Sequence, residues 1–472
     1  MSDAQKPTVI TGAAGTGKTT RLMQYIHDLA PKAVTDPEHQ CVLIITHMHG
    51  ARRRLEELIH KEQPKLHVVV NTIHAFALSV VNRWRTVLGL GFPVVAAPGA
   101  GGFVEKFGTV HATFDEIVGK AEELSKYETV RAFIATTYPL IVVDEAQDCS
   151  AVVLRFIEAL GACSSCVMAA DEFQNLLGED DISDFGKWVS EHKQGAQIEH
   201  VELTEPLRTS DVGILEAARA LRENKAATGS NIPKYWAPTV PLLAWKIVEK
   251  VLSRPPKDVS VALIVPSMRG VDSVIQSINN QLEKRLKRKG SLRWMMVSSA
   301  EQERKDIYKE LGIGIDLTRE WKPSADAGMS GVGLLVQSRA VRLARLRGIG
   351  KPTQEFAATV AQTTLHANRA HTSRFGQYEI TTIHAAKNRE FHHVFVLWNY
   401  RVKGTDEKKR RLLYNAITRA KISCALLVQR SSAVGLENDP VLGLLGTIFP
   451  LGAKKGKTKS SPAKRRKKNG GK

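Results

Sequence analysis

Short apolar runs rich in Val and Ile alternate along the first 200 residues with stretches of helical periodicity. The runs are "PTVI", "CVLIIT", "LHVVV", "PLIVVDE" and "CVMAAD". Such alternation predicts a parallel sheet with helices on its faces. Between about 85 and 135 the pattern gives way to the Gly-rich "GLGFPVVAAPGAGG" and then to mixed sequence, which indicates an insertion rather than a core strand.

A second series of apolar runs follows, and each of them predicts a strand. They are "VSVALIVP" (259–266), "VGLLVQ" (332–337), "YEITTI" (378–383), "HVFVLW" (393–398) and "CALLVQ" (424–429). The chain of 472 residues is long enough for two or three domains, each with its own core. We therefore expect an α/β protein with two parallel-sheet domains in tandem, residues 1–205 and 206–450, with short helical insertions at about 85–135 and about 275–375.

Composition narrows the class of protein. Hydrophobic residues make up 43% and charged residues 24% of the chain, fractions typical of an ordered globular protein. The five cysteines have no framework spacing, which predicts reduced thiols, and we interpret Cys163 and Cys166 as buried or half-buried thiols rather than a metal site. Neither a signal-peptide pattern nor an apolar run of about 18 residues is found. These features predict no membrane partner and a cytoplasmic, nucleoid-associated location, or a nuclear one in a eukaryote.

The net charge of +19 favours a polyanionic partner. About half of the excess lies in the last 22 residues, 451–472, which contain ten Lys or Arg and no acid and are predicted to be a disordered tail. Nucleic acid is favoured over a membrane because no amphipathic anchor accompanies the charge. The alternative is that the charge serves only to keep the surface soluble. The tail also fits a nuclear localisation signal or a DNA-binding arm.

A glycine-rich turn follows the first predicted strand and precedes a predicted helix. It matches G-x-x-x-x-G-K-[ST], in which backbone N–H groups converge on phosphate oxygens, the lysine adds a positive charge and the last hydroxyl holds Mg²⁺. This context predicts a nucleoside triphosphate site rather than a chance turn. The predicted contact residues are Gly12, Ala13, Ala14, Gly15, Thr16, Gly17, Lys18, Thr19 and Thr20.

A P-loop needs a carboxylate for the metal ion, and "LIVVDEAQD" offers two just past an apolar strand. Asp144 is predicted to hold Mg²⁺, together with Thr19, and Glu145 to accept the proton of the attacking water. The alternative is an acidic helix N-terminus in which Asp144 is only a cap.

The segment "VVDEAQD" resembles motif II of superfamily 1 helicases of the UvrD/Rep type, and the other motifs stand in the family order. They are "LIITHMHGARRRLEELI" (Ia), "VNTIHAFALSVV" (Ib), "AADEFQNL" (III), "LTEPLRTS" (IV), "ITTIHAAKNREFHHVFV" (V) and "RRLLYNAITRAK" (VI). The resemblance covers both expected domains but not residues 85–135, about 270–375 or the tail. It implies two RecA-like P-loop NTPase domains that close on ATP and Mg²⁺.

The resemblance also implies roles for residues far from the P-loop. Arg208 and Arg419 would be arginine fingers, which stabilise charge on the γ-phosphate as it leaves. Gln174 would sense the γ-phosphate, and Glu390 would face the ribose or the domain interface. The alternatives are exposed arginines on amphipathic helices and a capping role for Glu390.

Single-stranded DNA is the nucleic acid that the resemblance implies, in a channel across both domains. Thr72 and His74 in "NTIHAF" and Thr382 and His384 in "TTIHAA" are similar pairs, one per domain, suited to contacting phosphates. A locally capped helix is the alternative for each pair. His47 and Arg389 would add further DNA contacts.

Some positions differ from the family pattern. The eight residues before Val9 contain no glutamine motif that reads adenine, and Leu207 stands where an aromatic residue usually stacks on the base. We therefore expect ATP binding to depend mainly on the phosphates. The insertions are also shorter than the usual accessory domains that help to split duplexes.

Two functional hypotheses follow. The first is an ATP-dependent motor on single-stranded DNA or on DNA with an overhang, a compact 3′–5′ helicase acting in DNA repair, replication or defence. The second is a nucleic-acid-sensing regulatory ATPase that controls a protein partner such as a nuclease without unwinding. A small-molecule kinase lacks an identifiable acceptor site and leaves motifs IV to VI unexplained.

Overall fold

The computed structural model describes the chain except for residues 1–5, 47–65, 98–100, 107, 177–182, 230, 253–257, 269, 287–293, 298–299, 315, 324–328, 347, 370–376, 388, 433, 437 and 452–472. The stretch 51–60, whose periodicity after "CVLIIT" predicts a helix, lies outside the described residues. So do the candidate DNA contact His47 and all but the first residue of the basic tail.

The described elements alternate between strands and helices over most of the chain. The strands are β1 (Thr8–Gly12), β2 (Val42–Thr46), β3 (Val68–Thr72), β4 (Val94–Ala96), β5 (Val104–Lys106), β6 (Thr109–Ala112), β7 (Leu140–Asp144), β8 (Ser165–Ala170), β9 (Glu199–Leu203), β10 (Lys234–Ala237), β11 (Val261–Val265), β12 (Met295–Val297), β13 (Tyr378–Thr382), β14 (Phe391–Trp398), β15 (Ala420–Gln429) and β16 (Phe449–Pro450). The helices are α1 (Lys18–Ala33), α2 (Ile73–Arg83), α3 (Phe114–Leu124), α4 (Glu128–Thr137), α5 (Ala151–Gly161), α6 (Asp184–Gln194), α7 (Val212–Glu223), α8 (Val240–Leu252), α9 (Val271–Leu286), α10 (Ala300–Glu310), α11 (Gly331–Leu346), α12 (Gln354–Arg369) and α13 (Asp406–Ile417).

Six parallel strands form the first sheet, in the order β3-β2-β7-β8-β1-β9. Its central strands are buried on both faces, which explains their continuous apolar runs. Leu22 and Ile26 of α1 pack in the core on one face, and Phe76 of α2 and Phe156 of α5 pack in the core on the other. We call this sheet, with α1 to α6, the N-terminal unit. Strands β4, β5 and β6 form a separate three-stranded sheet, so the Gly-rich segment adds no strand to the main one.

Seven parallel strands form the second sheet, in the order β12-β13-β11-β14-β15-β10-β16. Helices α7 and α13 contribute to the core on one face, and α8 and α9 to the core on the other. We call this sheet and these helices the C-terminal unit. The α/β class with parallel sheets is therefore confirmed. No helix among the described residues is both long and apolar enough to cross a bilayer.

Helices α10, α11 and α12 form a separate core around Trp321 and Phe356. The prediction of a strand at 332–337 was wrong, because this run lies in α11. Its buried positions continue past the run at helical spacing, through Val336, Ala340 and Ala344. A short apolar run does not by itself distinguish a strand from part of a buried helix.

Candidate active site

The P-loop connects β1 to α1 at the carboxyl edge of the first sheet. Gly15 and Gly17 have φ angles of 82° and 83°, in the left-handed region that glycine adopts without strain. A Cβ built on Gly15 would lie 2.7 Å from the Cβ of Arg208. The carbonyl of Gly15 accepts hydrogen bonds from the N–H groups of Leu207, at 2.6 Å, and Arg208, at 3.1 Å. Glycine therefore lets the Leu207–Arg208 segment pack directly on the phosphate-binding turn.

Lys18 is held against the turn that carries it. Its ammonium donates to the carbonyls of Gly12, at 3.0 Å, and Ala13, at 2.9 Å, and lies 4.0 Å from Oδ2 of Asp171. Burial lowers the pKa of Lys18, and the charges of Asp171 and Glu145 oppose that effect. A phosphate group would supply a compensating negative charge at this buried cation.

The two adjacent carboxylates, Asp144 and Glu145, lie at the carboxyl end of β7. Asp144 is buried, and its Oδ1 accepts from the N–H of Glu145 at 3.0 Å. Glu145 has φ 59° and ψ 41°, a left-handed conformation that is uncommon for a residue with a side chain. Its Oε2 accepts a hydrogen bond from Nε2 of Gln147. The local backbone and Gln147 together fix the direction of the Glu145 carboxylate.

Arg208 bridges the two units. Its backbone N–H is bound to the P-loop, whereas its guanidinium donates to the carbonyl of Thr418 at 3.0 Å and pairs with Oε1 of Glu390 at 3.0 Å. The other oxygen of Glu390 pairs with Lys421 at 2.9 Å. Glu390 therefore holds two cations at the edge of the site.

Arg419 is buried in the C-terminal unit and faces the N-terminal unit. Its Nη2 donates to Oε1 of Gln174 at 2.8 Å, and its Nε donates to the carbonyl of Asn415 at 3.0 Å. Burial lowers the pKa of Arg419 to about 10, and the charge of Arg208 acts in the same direction. The side chain stays charged at neutral pH in a site with an excess of cations, as binding of a polyanion requires.

These residues line one cavity of about 340 Å³ between the two units. Its lining comprises Gly15, Gly17, Lys18, Thr19, Thr20, Asp144, Glu145, Gln174, Leu207, Arg208, Glu390, Arg419 and Lys421. The cavity thus brings together the P-loop, both carboxylates and both candidate fingers. Gly12 and Ala13 instead contribute the carbonyls that hold Lys18. The N–H of Ala14 donates to the hydroxyl of Tyr414, and the hydroxyl of Thr16 donates to the carbonyl of Ala13.

The donors around the cavity suit Mg²⁺. Thr19 supplies a hydroxyl and Asp144 a carboxylate, and the cavity leaves room for phosphate and water oxygens, the oxygen ligands that Mg²⁺ prefers. Among the described residues, no cluster of three or more His, Cys, Asp or Glu forms a metal cage of its own. The described residues are therefore suited to a metal ion that binds together with a nucleotide rather than by itself.

Two family models match the sequence. An AAA domain model matches residues 2–177, which include the P-loop, Glu145 and Gln174, and a UvrD-like helicase C-terminal domain model matches residues 378–427, which include Arg419. The chain is a superfamily 1 helicase of the UvrD/Rep type. No curated protein sequence matches it. The helicase accordingly belongs to the ATP-dependent nucleic-acid motors.

Two predicted DNA-contact pairs of the helicase, Thr72 with His74 and Thr382 with His384, lie at the carboxyl ends of the edge strand β3 and the near-edge strand β13. Thr72 and Thr382 each accept a backbone N–H three residues ahead, from Ala75 and Ala385, both at 3.2 Å. Both hydroxyls thus make local caps, the alternative that the sequence left open.

The other candidate contacts differ in accessibility. His384 is exposed, and the ring of His74 lies 4.8 Å from that of Phe114. Arg389 forms an ion pair with buried Glu379, so one of its contacts is already made within the helicase. Among the described members of this set, His384 is therefore the most accessible polar group.

Sequence reasoning missed several groups that connect the units of the helicase. The connecting groups are Asp171, Arg222, Tyr414 and the buried pair of Asp148 and Lys387. Lys421, which lines the cavity and pairs with Glu390 of its own unit, was missed as well. Lys421 lies in the motif VI match and adjoins Ala420, so its proximity to Arg419 was a usable signal. Arg222 lies on α7 outside every motif, and only the tertiary structure brings it to the site.

The buried pair of Asp148 and Lys387 predicts that the stability of the fold depends on pH. Nζ of Lys387 donates to both oxygens of Asp148, at 2.7 and 2.9 Å. Burial raises the pKa of Asp148 to about 6, although Lys387 opposes this effect. Because the folded-state pKa lies above the ordinary one, ionisation of Asp148 opposes folding, and its contribution to stability falls as the pH rises through 6.

We expect the free energy of unfolding to fall by about 1 kcal/mol between about pH 5 and about pH 7 because of this group alone. Asp148→Asn should remove that share of the pH dependence. Denaturant titrations of both proteins at the two pH values measure the difference. Equal pH dependence in the variant and the wild-type protein would show that Asp148 ionises freely in the folded chain.

Proposed function

We propose that this helicase is a 3′–5′ motor that couples ATP hydrolysis to movement along single-stranded DNA, with duplex separation at a 3′ overhang. The observation that carries the proposal is the single cavity in which Lys18 and Glu145 of the N-terminal unit face Arg208 and Arg419. A site divided in this way is complete only when the units are together. Binding and hydrolysis would therefore alter the relative position of the two sheets.

The chain's own residues account for the steps of hydrolysis. Lys18 and the P-loop N–H groups would bind the phosphates, and Glu145 would take the proton of the attacking water. Gln174, which already accepts a hydrogen bond from Arg419, would orient the water near the γ-phosphate. Mg²⁺, held by Thr19 and Asp144, would supply charge neutralisation at the phosphates. Arg208 and Arg419 would stabilise the charge that develops on the departing phosphate.

The nucleic-acid side of the proposal concerns the carboxyl edges of both sheets. Thr72 ends β3 and His74 lies in the first turn of α2, whereas Thr382 ends β13 and His384 follows it. One polar pair on each unit suits a DNA strand that spans both, since each pair could hold a phosphate while the other moves. The proposed roles in DNA repair, replication or defence rest on the family and on the basic charge.

One assay tests the motor. ATP hydrolysis is measured with and without single-stranded DNA, and strand separation is then measured on duplexes with 3′ or 5′ overhangs. We expect stimulation by the single strand and separation only with the 3′ overhang. Hydrolysis that does not respond to DNA would contradict the proposal.

A nucleic-acid-sensing ATPase that controls a partner such as a nuclease is the second candidate. The local caps made by Thr72 and Thr382 and the ion pair of Arg389 favour it, because these groups are partly used within the protein. Stimulation by DNA without movement or strand separation would support this function over the first.

Nucleotide choice is testable at Leu207. Its side chain is 68% exposed and lines the cavity where the family stacks the base on an aromatic ring. The other lining groups have proposed contacts with the phosphates, the ribose or the metal ion rather than with the base. Strong discrimination between bases needs hydrogen bonds to the base. We therefore expect kcat/KM for GTP to be within about 10-fold of that for ATP.

Leu207→Tyr supplies the missing ring. We expect it to lower KM for ATP, by an amount equivalent to about 1 kcal/mol or more of stacking. Val434→Tyr, at a position 88% exposed, is the matched control. Steady-state kinetics with ATP and GTP give both comparisons, and strong preference for ATP in the wild-type protein would reveal a base reader elsewhere.

A further inference from the structure

Asp171 is buried between the units and contacts both. Its Oδ1 accepts from Nη1 of Arg222 at 2.6 Å, and its Oδ2 accepts from the hydroxyl of Tyr414 at 3.1 Å and from Nε2 of Gln174 at 2.8 Å. Arg222 and Tyr414 belong to α7 and α13 of the C-terminal unit. Although burial opposes ionisation, the charges of Lys18 and Arg222 lower the pKa of Asp171, so the group is a carboxylate.

The same carboxylate lies beside the P-loop lysine. Nζ of Lys18 is 4.0 Å from Oδ2 of Asp171, close enough for a small rotation of either side chain to form a direct ion pair. The Asp171 side chain is fully buried and that of Lys18 is 11% exposed, so such a pair would be little screened by water. A lysine bound to Asp171 would be less available to a phosphate. The partners of Asp171 therefore decide how strongly it competes for Lys18.

Tyr414 connects this group to the P-loop backbone. Its hydroxyl donates its one proton to Asp171 and accepts from the N–H of Ala14, at 2.8 Å, and from Arg222, at 3.3 Å. One donor and two acceptor sites satisfy all three bonds. The ring packs edge-on against Phe173 with centroids 5.0 Å apart, which fixes the hydroxyl.

We propose that Arg222 and Tyr414 are positioning residues of the C-terminal unit that occupy Asp171 and thereby leave Lys18 available to the nucleotide. When the units separate, both groups leave Asp171, and the carboxylate pairs with Lys18. Closure of the units and phosphate binding are then coupled through one buried carboxylate. This inference rests on the proposed motor and deepens its nucleotide site.

The test measures binding of a non-hydrolysable ATP analogue with Mg²⁺, by calorimetry and without DNA. Arg222→Gln should weaken binding on the order of 10-fold, because Asp171 then captures Lys18. Adding Asp171→Asn to Arg222→Gln should restore most of the affinity, which a purely structural role of Arg222 would not produce. Arg219→Gln is the matched control, since Arg219 lies on the same helix and, within the described part of the chain, its ion pairs are with Glu216 and Glu223.

Affinity of Arg222→Gln equal to that of Arg219→Gln would overturn the inference, as would a double variant that binds no better than Arg222→Gln. If circular dichroism shows that the Arg222 variants are unfolded, the same comparison of analogue affinity is made between Tyr414→Phe and Tyr414→Phe with Asp171→Asn. Phenylalanine keeps the ring packing of Tyr414 and removes only its hydroxyl. Failure of DNA to stimulate hydrolysis would reject the motor but leave these affinities unchanged. The two failures are therefore distinguishable.

Discussion

An Arg419→Lys variant is expected to hydrolyse ATP on the order of 10³-fold more slowly than the wild-type protein. The guanidinium donates through two nitrogens at once, to Gln174 and to Asn415, from a buried position. Lysine keeps the charge but not the planar fork, so it would not hold Gln174 and reach the phosphate in the same geometry. The loss should appear in kcat at saturating ATP and single-stranded DNA.

Arg339→Lys on α11 is the control, because Arg339 is exposed and lies on the helical cluster away from the cavity. It should leave kcat unchanged. An Arg419→Lys protein that retained most of the wild-type kcat would remove Arg419 from the proposed mechanism. Thermal unfolding of each variant separates slow catalysis from loss of the fold.

Glu145→Gln is expected to reduce turnover by about 10²- to 10⁴-fold while ATP binding is retained. Glutamine has nearly the same shape and still accepts from Gln147, but it does not take a proton from water. Single-turnover hydrolysis and analogue binding, measured on the same preparation, separate the two steps.

Glu191→Gln, at an exposed position on α6, is the corresponding control and should match the wild-type protein in both measurements. Normal turnover by Glu145→Gln would assign the proton acceptor to another group. Loss of binding in parallel with turnover would instead indicate that Glu145 supports the P-loop rather than the reaction.

Local chemistry explains why much of the fold was predictable. Strands such as β2 and β7 are buried on both faces, so their sequences are uninterrupted apolar runs, and two glycines of the P-loop, Gly15 and Gly17, fall where φ is positive. These features depend on a few neighbouring residues. The run at 332–337 failed as a prediction because a short apolar run fits a strand as well as part of a buried helix, and the helical spacing becomes visible only when the residues beyond the run are included.

The candidate site was likewise predictable where it depends on local motifs and not where it depends on contacts between distant residues. Motif spacing indicated Lys18 and Glu145, and the family resemblance indicated Arg419, which lies in the same cavity. The contacts between Asp171 and Arg222 and between Asp148 and Lys387 join residues 51 and 239 positions apart. Sequence patterns within one element carry no information about such pairs, since either partner alone is an ordinary charged residue.

The contact of the Leu207–Arg208 segment with Gly15 has a mechanical consequence. Its backbone is bonded to the phosphate-binding turn, while the Arg208 side chain is bonded to Thr418 and Glu390 of the other unit. The chain thus crosses from one unit to the other directly beside the P-loop. In the proposed motor, a rotation of the units about this crossing would move the atoms next to it least and more remote parts of each unit most, so a small change at the phosphates would become a larger displacement along the DNA.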